Sequence, residues 1–429
     1  MSLCLYRFSQ TGSDLAPRKA TALVLLMILA LPVWDLPAQQ PRGLSLTDLE
    51  RMAQENNPLM RIARLQVDAM QGQRVQVELY PNTQVGYHAT EVGNMDTAGA
   101  QGFFVRQQFP SNVKRKLDMA VADEAVERSR FVARSMEARV INDVRLRFYD
   151  ALVARSQVQL ATDLVKISSQ ATAASKTLLE AERVGENVLL LAELELEKTR
   201  ILLDNANNQQ YEAWRRLCAS VGLDDLDINT LVGSLEVLPL AMTWQQIHVD
   251  VMTKSPEIAA AHSSVAQWKL AVERAEKQII PDLDVMLSLR HHNVTSYDIA
   301  NIQVGFPFPF LDKNQGNILA ARANWAAAEQ RVRQVELRLT DQLATAYRQY
   351  ASARQQVERY QQQLIPRADR SITLVQQGYQ HGQVDYLTLL STQRTYFQIR
   401  MEYLKSLAQL HHYAILLKGL MLSGSFQQR

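Results

Sequence analysis

Long stretches of the chain place apolar residues alternately three and four positions apart, the spacing of helices that pack side by side. Between Lys116 and Val184 there is neither proline nor glycine, and roughly 70 helical residues would form a rod on the order of 100 Å long. The apolar positions are Leu160, Leu164, Ile167, Ala171, Ala174 and Leu178 in this rod, and Val332, Val335, Leu339, Leu343, Ala346, Tyr350, Ala353, Val357, Tyr360 and Leu364 in a second. The pattern predicts two very long helices.

Each predicted rod is followed by a glycine, Gly185 or Gly382, and then by another helical stretch. Glycine readily adopts the left-handed conformation that ends helices, so each pair is expected to form a tight antiparallel hairpin. Pro366 removes a helical hydrogen bond and predicts a kink or short break in the second rod. The last helix has two apolar edges, which predicts two neighbours: Leu390, Phe397, Met401, Leu404, Ala408 and Ile415 on one edge, and Leu389, Tyr396, Tyr403, Leu407 and Leu410 on the other.

Alternating apolar and polar residues predict two β-hairpins, at residues 82–109 and 282–309. Phe103, Val105 and Phe109 share one face of the first, and Leu283, Val285, Leu287 and Leu289 share one face of the second. Strands of about ten residues cross a bilayer when they are tilted. If three chains each contributed four strands, a barrel of about twelve strands would leave no open edge. An ordinary sheet packed on a helical domain is the alternative.

The two halves of the chain repeat one another. The segment LSLTDLERMAQENNP, Leu44 to Pro58, has a counterpart in MTWQQIHVDVMTKSP, Met242 to Pro256, about 198 residues later. We predict a first repeat at 39–232, with β-hairpin 82–109 and helical hairpin 115–221. The second repeat is predicted at 233–429, with β-hairpin 282–309 and helical hairpin 314–422.

The N-terminus indicates export. Arg18 and Lys19 precede the apolar run Ala20 to Leu31, which is shorter than the roughly 20 residues of a spanning helix. We therefore predict a signal peptide at residues 1–38, with a membrane anchor as the alternative. The cysteines, Cys4 and Cys218, lie on opposite sides of the predicted cleavage site, so we expect no disulfide within the mature chain. The net charge is +2 and the lysine and arginine residues form no cluster in the sequence, which argues against a nucleic-acid partner.

With these features, the chain from Leu44 to about Leu422 resembles the TolC-type outer membrane efflux family. The resemblance rests on the duplicated helix starts, on GFPFPFLDKNQGNILAAR at Gly305 to Arg322, and on GYQHGQVDYLTLLSTQRTYFQ at Gly378 to Gln398. The second of these motifs is most similar to the heavy-metal branch of the family, the cobalt, zinc and cadmium efflux channels. The resemblance implies an α+β membrane protein that forms a homotrimer, with a twelve-stranded β-barrel in outer membrane lipid and an α-helical barrel across the periplasm. It also implies two partners, a periplasmic membrane fusion adaptor and an inner-membrane pump of the resistance, nodulation and division class.

The hairpin tips are therefore the candidate functional positions. Gly185, Glu186, Tyr379, Gly382 and Gln383 are expected to contact the adaptor, although both glycines could serve only as turn residues. Well-known members of the family carry two acidic residues at the entrance, and Thr388 and Ser391 occupy the matching positions here. The double carboxylate ring is thus absent. Asp385 could form a smaller gate ring, and the alternative, which the sequence favours, is that it caps the last helix.

The sequence contains no phosphate-binding loop, His-Glu-x-x-His motif, cysteine cluster or nucleophile elbow, so we predict no catalytic residues, no cofactor and no enzyme. His291 and His292 are adjacent, as are His411 and His412, and adjacent histidines point to different faces. We therefore predict no metal site, and expect His411 to be packed in an apolar seam. A passive conduit, with heavy-metal cations as substrate, is the predicted function. The alternatives are a channel for organic drugs or for a type I secretion substrate, and a secreted coiled-coil scaffold.

Overall fold

The computed structural model describes residues 43–92, 99–226 and 231–425. The predicted signal peptide at 1–38 lies outside the described residues, and the described residues from Leu44 onward form one compact unit. In the first half, the helices and strands are α1 Leu46–Asn56, α2 Pro58–Glu78, β1 Gln84–Thr90, β2 Ala100–Phe109, α3 Asn112–Glu180 and α4 Glu186–Val221. In the second half they are α5 Trp244–Lys254, α6 Pro256–Glu276, β3 Leu283–His292, β4 Tyr297–Gly305, α7 Gln315–Arg359, α8 Ile365–Gln380 and α9 Tyr386–Lys418.

The two repeats begin with the same local structure. Ser45 caps α1 in a capping box with Asp48, and Thr243 caps α5 in a capping box with Gln246. Each capping box satisfies two backbone N–H groups that a helix start otherwise leaves free. Pro58 and Pro256 then begin α2 and α6, where the missing N–H of proline costs nothing. The sequence repeat is therefore also a structural repeat at these helix starts.

The helices are long because nothing interrupts their pattern. α3 contains 69 residues, which corresponds to about 100 Å. The second rod is divided by a π-helical turn at Tyr360–Leu364, which ends two residues before Pro366. Proline cannot donate a hydrogen bond to the carbonyl one turn earlier, and a widened turn accommodates the missing bond. The interruption predicted at Pro366 is thus a π-helical turn between α7 and α8.

The four strands form one antiparallel sheet in the order β1-β2-β3-β4. β1 has seven residues rather than the expected ten or so, because Glu91, just after it, has a positive φ of 60° and turns the chain. One cross-strand row is Val85, Val105, Leu287 and Ile302, and all four side chains are exposed. The row beside it on the other face is Gln84, Arg106, Met286 and Gln303. The sheet therefore has an exposed apolar face and a mainly polar one.

The main hydrophobic core joins both repeats where the middle of the rods meets the short helices. Leu49 of α1, Val144 of α3, Leu217 of α4, Leu343 of α7 and Leu407 of α9 are all buried in it. Within one chain, the two apolar edges of the last helix are covered to different extents. Leu389, Tyr403, Leu407 and Leu410 are buried, whereas the other edge, with Leu390, Phe397, Met401, Leu404, Ala408 and Ile415, is only partly covered. One chain thus supplies a full neighbour to only one edge.

The segment that joins the repeats is bound along the outside of this core. The guanidinium of Arg155 donates to the carbonyl oxygen of Leu231 at 3.0 Å. The hydroxyl of Tyr350 donates to the carbonyl oxygen of Leu240 at 3.1 Å. The buried His411 ring stacks on Tyr149 with 4.1 Å between ring centroids, and its Nε2 lies 2.9 Å from the carbonyl oxygen of Leu235. The expectation that His411 is packed is confirmed. Among the described residues, no helix is both long enough and apolar enough to cross a membrane.

Candidate functional site

The two hairpin tips have the same backbone conformation. α3 and α8 both end in the pair of backbone hydrogen bonds that closes a helix around a left-handed residue. In the first tip the N–H of Arg183 donates to the carbonyl of Leu178 at 2.9 Å, and in the second the N–H of Gln383 donates to that of Gly378 at 2.8 Å. The left-handed residues are Glu182, with a φ of 58°, and Gly382, with a φ of 69°. The tips therefore match each other 200 positions apart.

This match corrects the predicted role of one glycine. Gly185 has a φ of −83° and is the residue before α4, so its backbone is extended and not left-handed. Its counterpart in the second tip is Asp385, the residue before α9. The left-handed position of the first tip is held by Glu182, whose strain the two closing hydrogen bonds offset. Of the two glycines, Gly382 is the one that occupies the left-handed position predicted for both.

Asp385 caps the last helix. Its carboxylate accepts hydrogen bonds from the backbone N–H of Thr388 at 2.7 Å and from the Thr388 hydroxyl at 3.1 Å. The pKa of Asp385 is lowered from its ordinary value, first by the backbone N–H of Thr388 and then by the hydroxyl. A capping carboxylate at this position also interacts favourably with the helix dipole. The structure therefore shows the cap for Asp385 and leaves the gate ring as a hypothesis.

The other two gate candidates are neutral and exposed. The Thr388 hydroxyl is engaged by Asp385, and the Ser391 hydroxyl donates to the carbonyl of Thr388 at 3.0 Å. One turn of helix separates the two side chains, so both lie on the same side of α9 near its start. Both hydroxyls are thus used locally, within the first two turns of the helix.

A small apolar cluster joins the two tips below their ends. Its buried members are Ala171, Leu178, Ala192, Tyr379, Tyr386 and Leu389. Tyr379 is only 2% exposed, so the expectation that its side chain contacts an adaptor is corrected. Its hydroxyl lies 2.6 Å from that of Ser175, which is itself buried and donates to the carbonyl of Ala171. A buried hydrogen bond therefore links α8 to α3 across 204 residues of sequence.

Tyr386 packs in the same cluster, with 5.9 Å between its ring centroid and that of Tyr379. Burial, together with the nearby negative charge of Glu195, raises the pKa of Tyr386 to about 12. The carboxylate of Glu195 also pairs with the guanidinium of Arg394 at 3.0 Å, a second link between the two hairpins. Next to Arg394, the side chain of Gln393 is buried, and its Nε2 has no partner among the described residues.

The tips thus present one set of exposed residues and hide another. Gly185, Glu186, Gly382 and Gln383 are exposed, as predicted for a contact surface, while Tyr379 belongs to the buried link. Sequence reasoning missed Ser175, Glu195 and Arg394. The sequence could have predicted that Tyr379 and Tyr386 pack together, because they are seven residues apart on either side of the turn. It could not have predicted their partners, which lie in the first repeat.

The histidines of the two adjacent pairs are engaged in local contacts or exposed. The Nδ1 of His291 lies 2.9 Å from the carboxylate of Asp298, and the Nδ1 of His292 accepts from the Thr295 backbone N–H at 3.3 Å. His412 is exposed, whereas His411 is buried and its burial lowers its pKa. In the part of the chain that the structure describes, no group of three or more histidine, cysteine, aspartate or glutamate side chains could hold a metal ion.

Three comparisons place this architecture among known proteins. Residues 249–421 match the family model described as outer membrane efflux protein. The chain is 25% identical over 389 residues to the cobalt-zinc-cadmium resistance protein CzcC of Cupriavidus metallidurans, covering 90% of this chain and 91% of CzcC. The structure of CusC matches with a TM-score of 0.72 at 17% identity, over 89% of this chain and 94% of CusC. The open-state MtrE outer membrane channel of Neisseria gonorrhoeae matches with a TM-score of 0.72 at 16% identity, over 89% and 90% of the two chains.

The two solved structures establish the fold, and the sequence matches show the similarity to outer membrane efflux proteins. The family match lies in the second repeat, whereas the similarity to CzcC extends over both repeats. The resemblance predicted from the helix starts, the proline-rich strand exit and the second tip is thereby confirmed: residues 249–421 match the outer membrane efflux family model, and the chain as a whole is similar to CzcC.

Proposed function

We propose that this chain is the outer membrane channel of a tripartite efflux system, a passive conduit that passes heavy-metal cations from the periplasm to the exterior. The observation that carries the proposal is the four-stranded sheet. Its apolar face is exposed, its opposite face is mainly polar, and β1 and β4 each pair on one side only among the described strands. Strands that face lipid on one side and water on the other have this alternation.

The strand lengths agree with a bilayer. β3 contains ten residues, which extend about 31 Å and would rise about 24 Å when tilted by roughly 40°. The open edges of β1 and β4 would expose unpaired backbone groups to lipid, at a cost of several kcal/mol each. Three copies, each contributing four strands, would close a barrel of twelve strands and satisfy these groups.

The helical part supports the same assembly. The half-covered edge of α9, with Phe397 and Met401, and the exposed stripe of Leu190, Leu194 and Ile201 on α4 are apolar surfaces that the described part of one chain leaves partly or largely uncovered. Apolar stripes of this kind are buried when helices pack in a ring. In a trimer the six hairpins would form a tube that continues the barrel, and the tips would form its periplasmic entrance.

The entrance would be opened by separating the second hairpin from the first. The bonds that oppose this movement are the buried Ser175–Tyr379 hydrogen bond and the exposed Arg394–Glu195 pair. The exposed tip residues Gly185, Glu186, Gly382 and Gln383 are the proposed contact surface for a periplasmic adaptor, which in turn joins an inner-membrane pump. The choice of metal cations as substrate follows the similarity to CzcC.

The assembly is tested by extracting outer membranes with mild detergent and measuring the protein mass by light scattering after gel filtration. We expect three chains per particle, and recovery of a monomer from the periplasmic fraction would contradict the proposal. The substrate is tested in a deletion strain. We expect lower resistance to zinc, cobalt and cadmium, restored by the wild-type gene, whereas a loss of resistance to organic drugs alone would assign the channel to a different substrate class.

A further inference from the structure

A small space lies between the two hairpins, beside the apolar cluster that joins their tips. Its walls come from α3 of the first hairpin and from α8 and α9 of the second. The apolar part of the wall is formed by Ile167, Ala171, Ala174 and Leu389, and the polar part by Gln170, Gln376, Tyr379, Gln380 and Gln393. The centre of a water molecule has about 10 Å³ in which to lie, which is close to the least that one bound water molecule requires. The space therefore fits one ligand of the size of water.

Gln393 is the polar group that requires a ligand there. Its side chain is only 3% exposed, and its Nε2 has no hydrogen-bond partner among the described residues. A buried amide N–H without an acceptor is unfavourable, because the hydrogen bonds that it made to water in the unfolded chain are not replaced. Gln393 thus needs an acceptor inside the space.

The groups in the wall determine what kind of ligand fits. Nε2 of Gln393 is a donor, so the ligand must accept a hydrogen bond, which excludes a bare metal cation. No charged side chain of the described residues lines the space, so an anion would be buried without a counter-charge. The amide oxygens of Gln170 and Gln376 and the hydroxyl of Tyr379 can accept hydrogen bonds from the ligand. A neutral molecule that both accepts and donates, and that has the size of water, matches these groups.

We propose that one water molecule is bound between the hairpins at this place, where it accepts a hydrogen bond from Gln393 Nε2 and donates to side chains of α3 and α8. It is a third link between the hairpins, beside the Ser175–Tyr379 hydrogen bond and the Arg394–Glu195 pair. Its role in holding the entrance closed rests on the proposed function. The binding of the water depends only on the packing of the three helices.

A water link differs from the two direct links in the way it breaks. A water-mediated hydrogen bond is nearly as favourable as a direct one, so the bound molecule holds the hairpins together. When the hairpins separate, water from the lumen reaches Gln393, and the amide stays hydrogen-bonded throughout the movement. The link therefore supports the closed entrance without leaving a buried donor unpaired while the entrance opens.

A crystal structure of the full-length protein, at a resolution that shows ordered water, tests the site directly. We expect density for one water molecule about 2.9 Å from Gln393 Nε2. If the map shows ordered water elsewhere but none between the hairpins, or shows Gln393 bonded directly to a protein oxygen, the water site is wrong.

Single-channel recording in planar bilayers tests the role of the water. Ala174→Val fills the space and excludes the water, so the buried Gln393 amide loses its acceptor and the open probability should rise at least about fivefold. Gln393→Met keeps a side chain of nearly the same length and removes the donor. Combined with Ala174→Val, it should return the open probability close to that of the wild type. If Ala174→Val acts only by crowding the helices, the double variant will remain as open as the single one, which contradicts the water link.

Gln393→Met alone gives an independent result of opposite sign for a dry site and a hydrated one. In a dry site the change removes an unpaired buried donor, and the open probability should fall at least about fivefold. With water bound it removes a link, so we expect the open probability to rise, and a fall would overturn the proposal. If neither the wild type nor any variant forms a pore, the proposed function fails, while the density beside Gln393 still decides whether the water is bound.

Discussion

Removing one hydroxyl from the tip cluster should loosen the entrance. In Tyr379→Phe the ring stays packed but the 2.6 Å hydrogen bond to Ser175 is lost. Ser175 still donates to the carbonyl of Ala171 at 2.9 Å, so no buried group is left without any partner. The expected cost is therefore that of one ordinary buried hydrogen bond, about 1 kcal/mol per copy.

The effect is multiplied if the three tips open together. Three copies then lose about 3 kcal/mol from the closed state, which shifts the closed-to-open equilibrium on the order of 150-fold. Single-channel recording in planar bilayers measures this shift directly as a rise in open probability. Tyr386→Phe is the matched control, because Tyr386 lies in the same cluster and its hydroxyl has no hydrogen-bond partner among the described residues.

Ser175→Ala completes the comparison. This variant leaves the buried Tyr379 hydroxyl without its partner, so it should raise the open probability at least as much as Tyr379→Phe. The double variant should resemble Tyr379→Phe alone, since both changes remove the same bond and their effects are not additive. The reasoning is refuted if Tyr379→Phe and Tyr386→Phe have equal open probabilities, or if the double variant shows the sum of the two single effects.

Two further outcomes test other contacts. Arg394→Ala should raise the open probability by about twofold per copy, because an exposed ion pair contributes about 0.5 kcal/mol. The control Arg200→Ala, which removes the ion pair with Glu197 inside α4, should leave the open probability unchanged. If both variants have the same open probability, the Arg394–Glu195 pair between the hairpins does not hold the entrance closed. His411→Gln should reduce the loss of stability in acid. Burial lowers the pKa of His411 from 6.5, so the unfolded chain binds the proton first and stability falls as the pH drops below about 6.5. Urea midpoints in detergent at about pH 7 and about pH 5 should differ less in this variant than in the wild type, and an unchanged difference would contradict the assignment.

The parts of the fold that the sequence predicted are those set by long regular patterns. The 3/4 spacing continues over many turns in α3 and α7, and the observed buried residues of α7, from Leu339 to Val357, are those of the predicted seam. The alternation in β3 likewise placed Leu283, Leu287 and Leu289 on one face. Such patterns are informative because each additional turn or residue pair repeats the same constraint on which side is apolar.

The candidate site was predicted less well, since its links depend on how the two hairpins lie against each other. Ser175 and Tyr379 are 204 residues apart, and no local pattern specifies which turn of α3 faces which turn of α8. The left-handed residue of the first tip was missed for a different reason. Glycine is favoured at such a position but not required, and two backbone hydrogen bonds hold Glu182 there.

The same substitution at the two tip glycines should have opposite effects. Gly382→Ser forces a side chain into a φ of 69°, which should lower the free energy of unfolding by about 1 kcal/mol. A Cβ there would meet Arg183 Nη1 at 3.6 Å and Leu178 Cδ2 at 3.8 Å, ordinary contacts, so the cost is one of backbone conformation and not of collision.

At Gly185 the backbone is extended and the residue precedes a helix without a side-chain cap. A Cβ there would come within 2.7 Å of Asn187 Oδ1, the far end of an exposed side chain that can rotate away. The serine can then accept a hydrogen bond from the first turn of α4, which should leave stability unchanged or raise it by a few tenths of a kcal/mol. Urea unfolding of both variants beside the wild type measures the difference. If both variants lose the same free energy of unfolding, the two glycines do not differ in backbone conformation as described above. Serine is unfavourable at Gly382 because the backbone there is left-handed, and it is tolerated at Gly185 because the backbone there is extended.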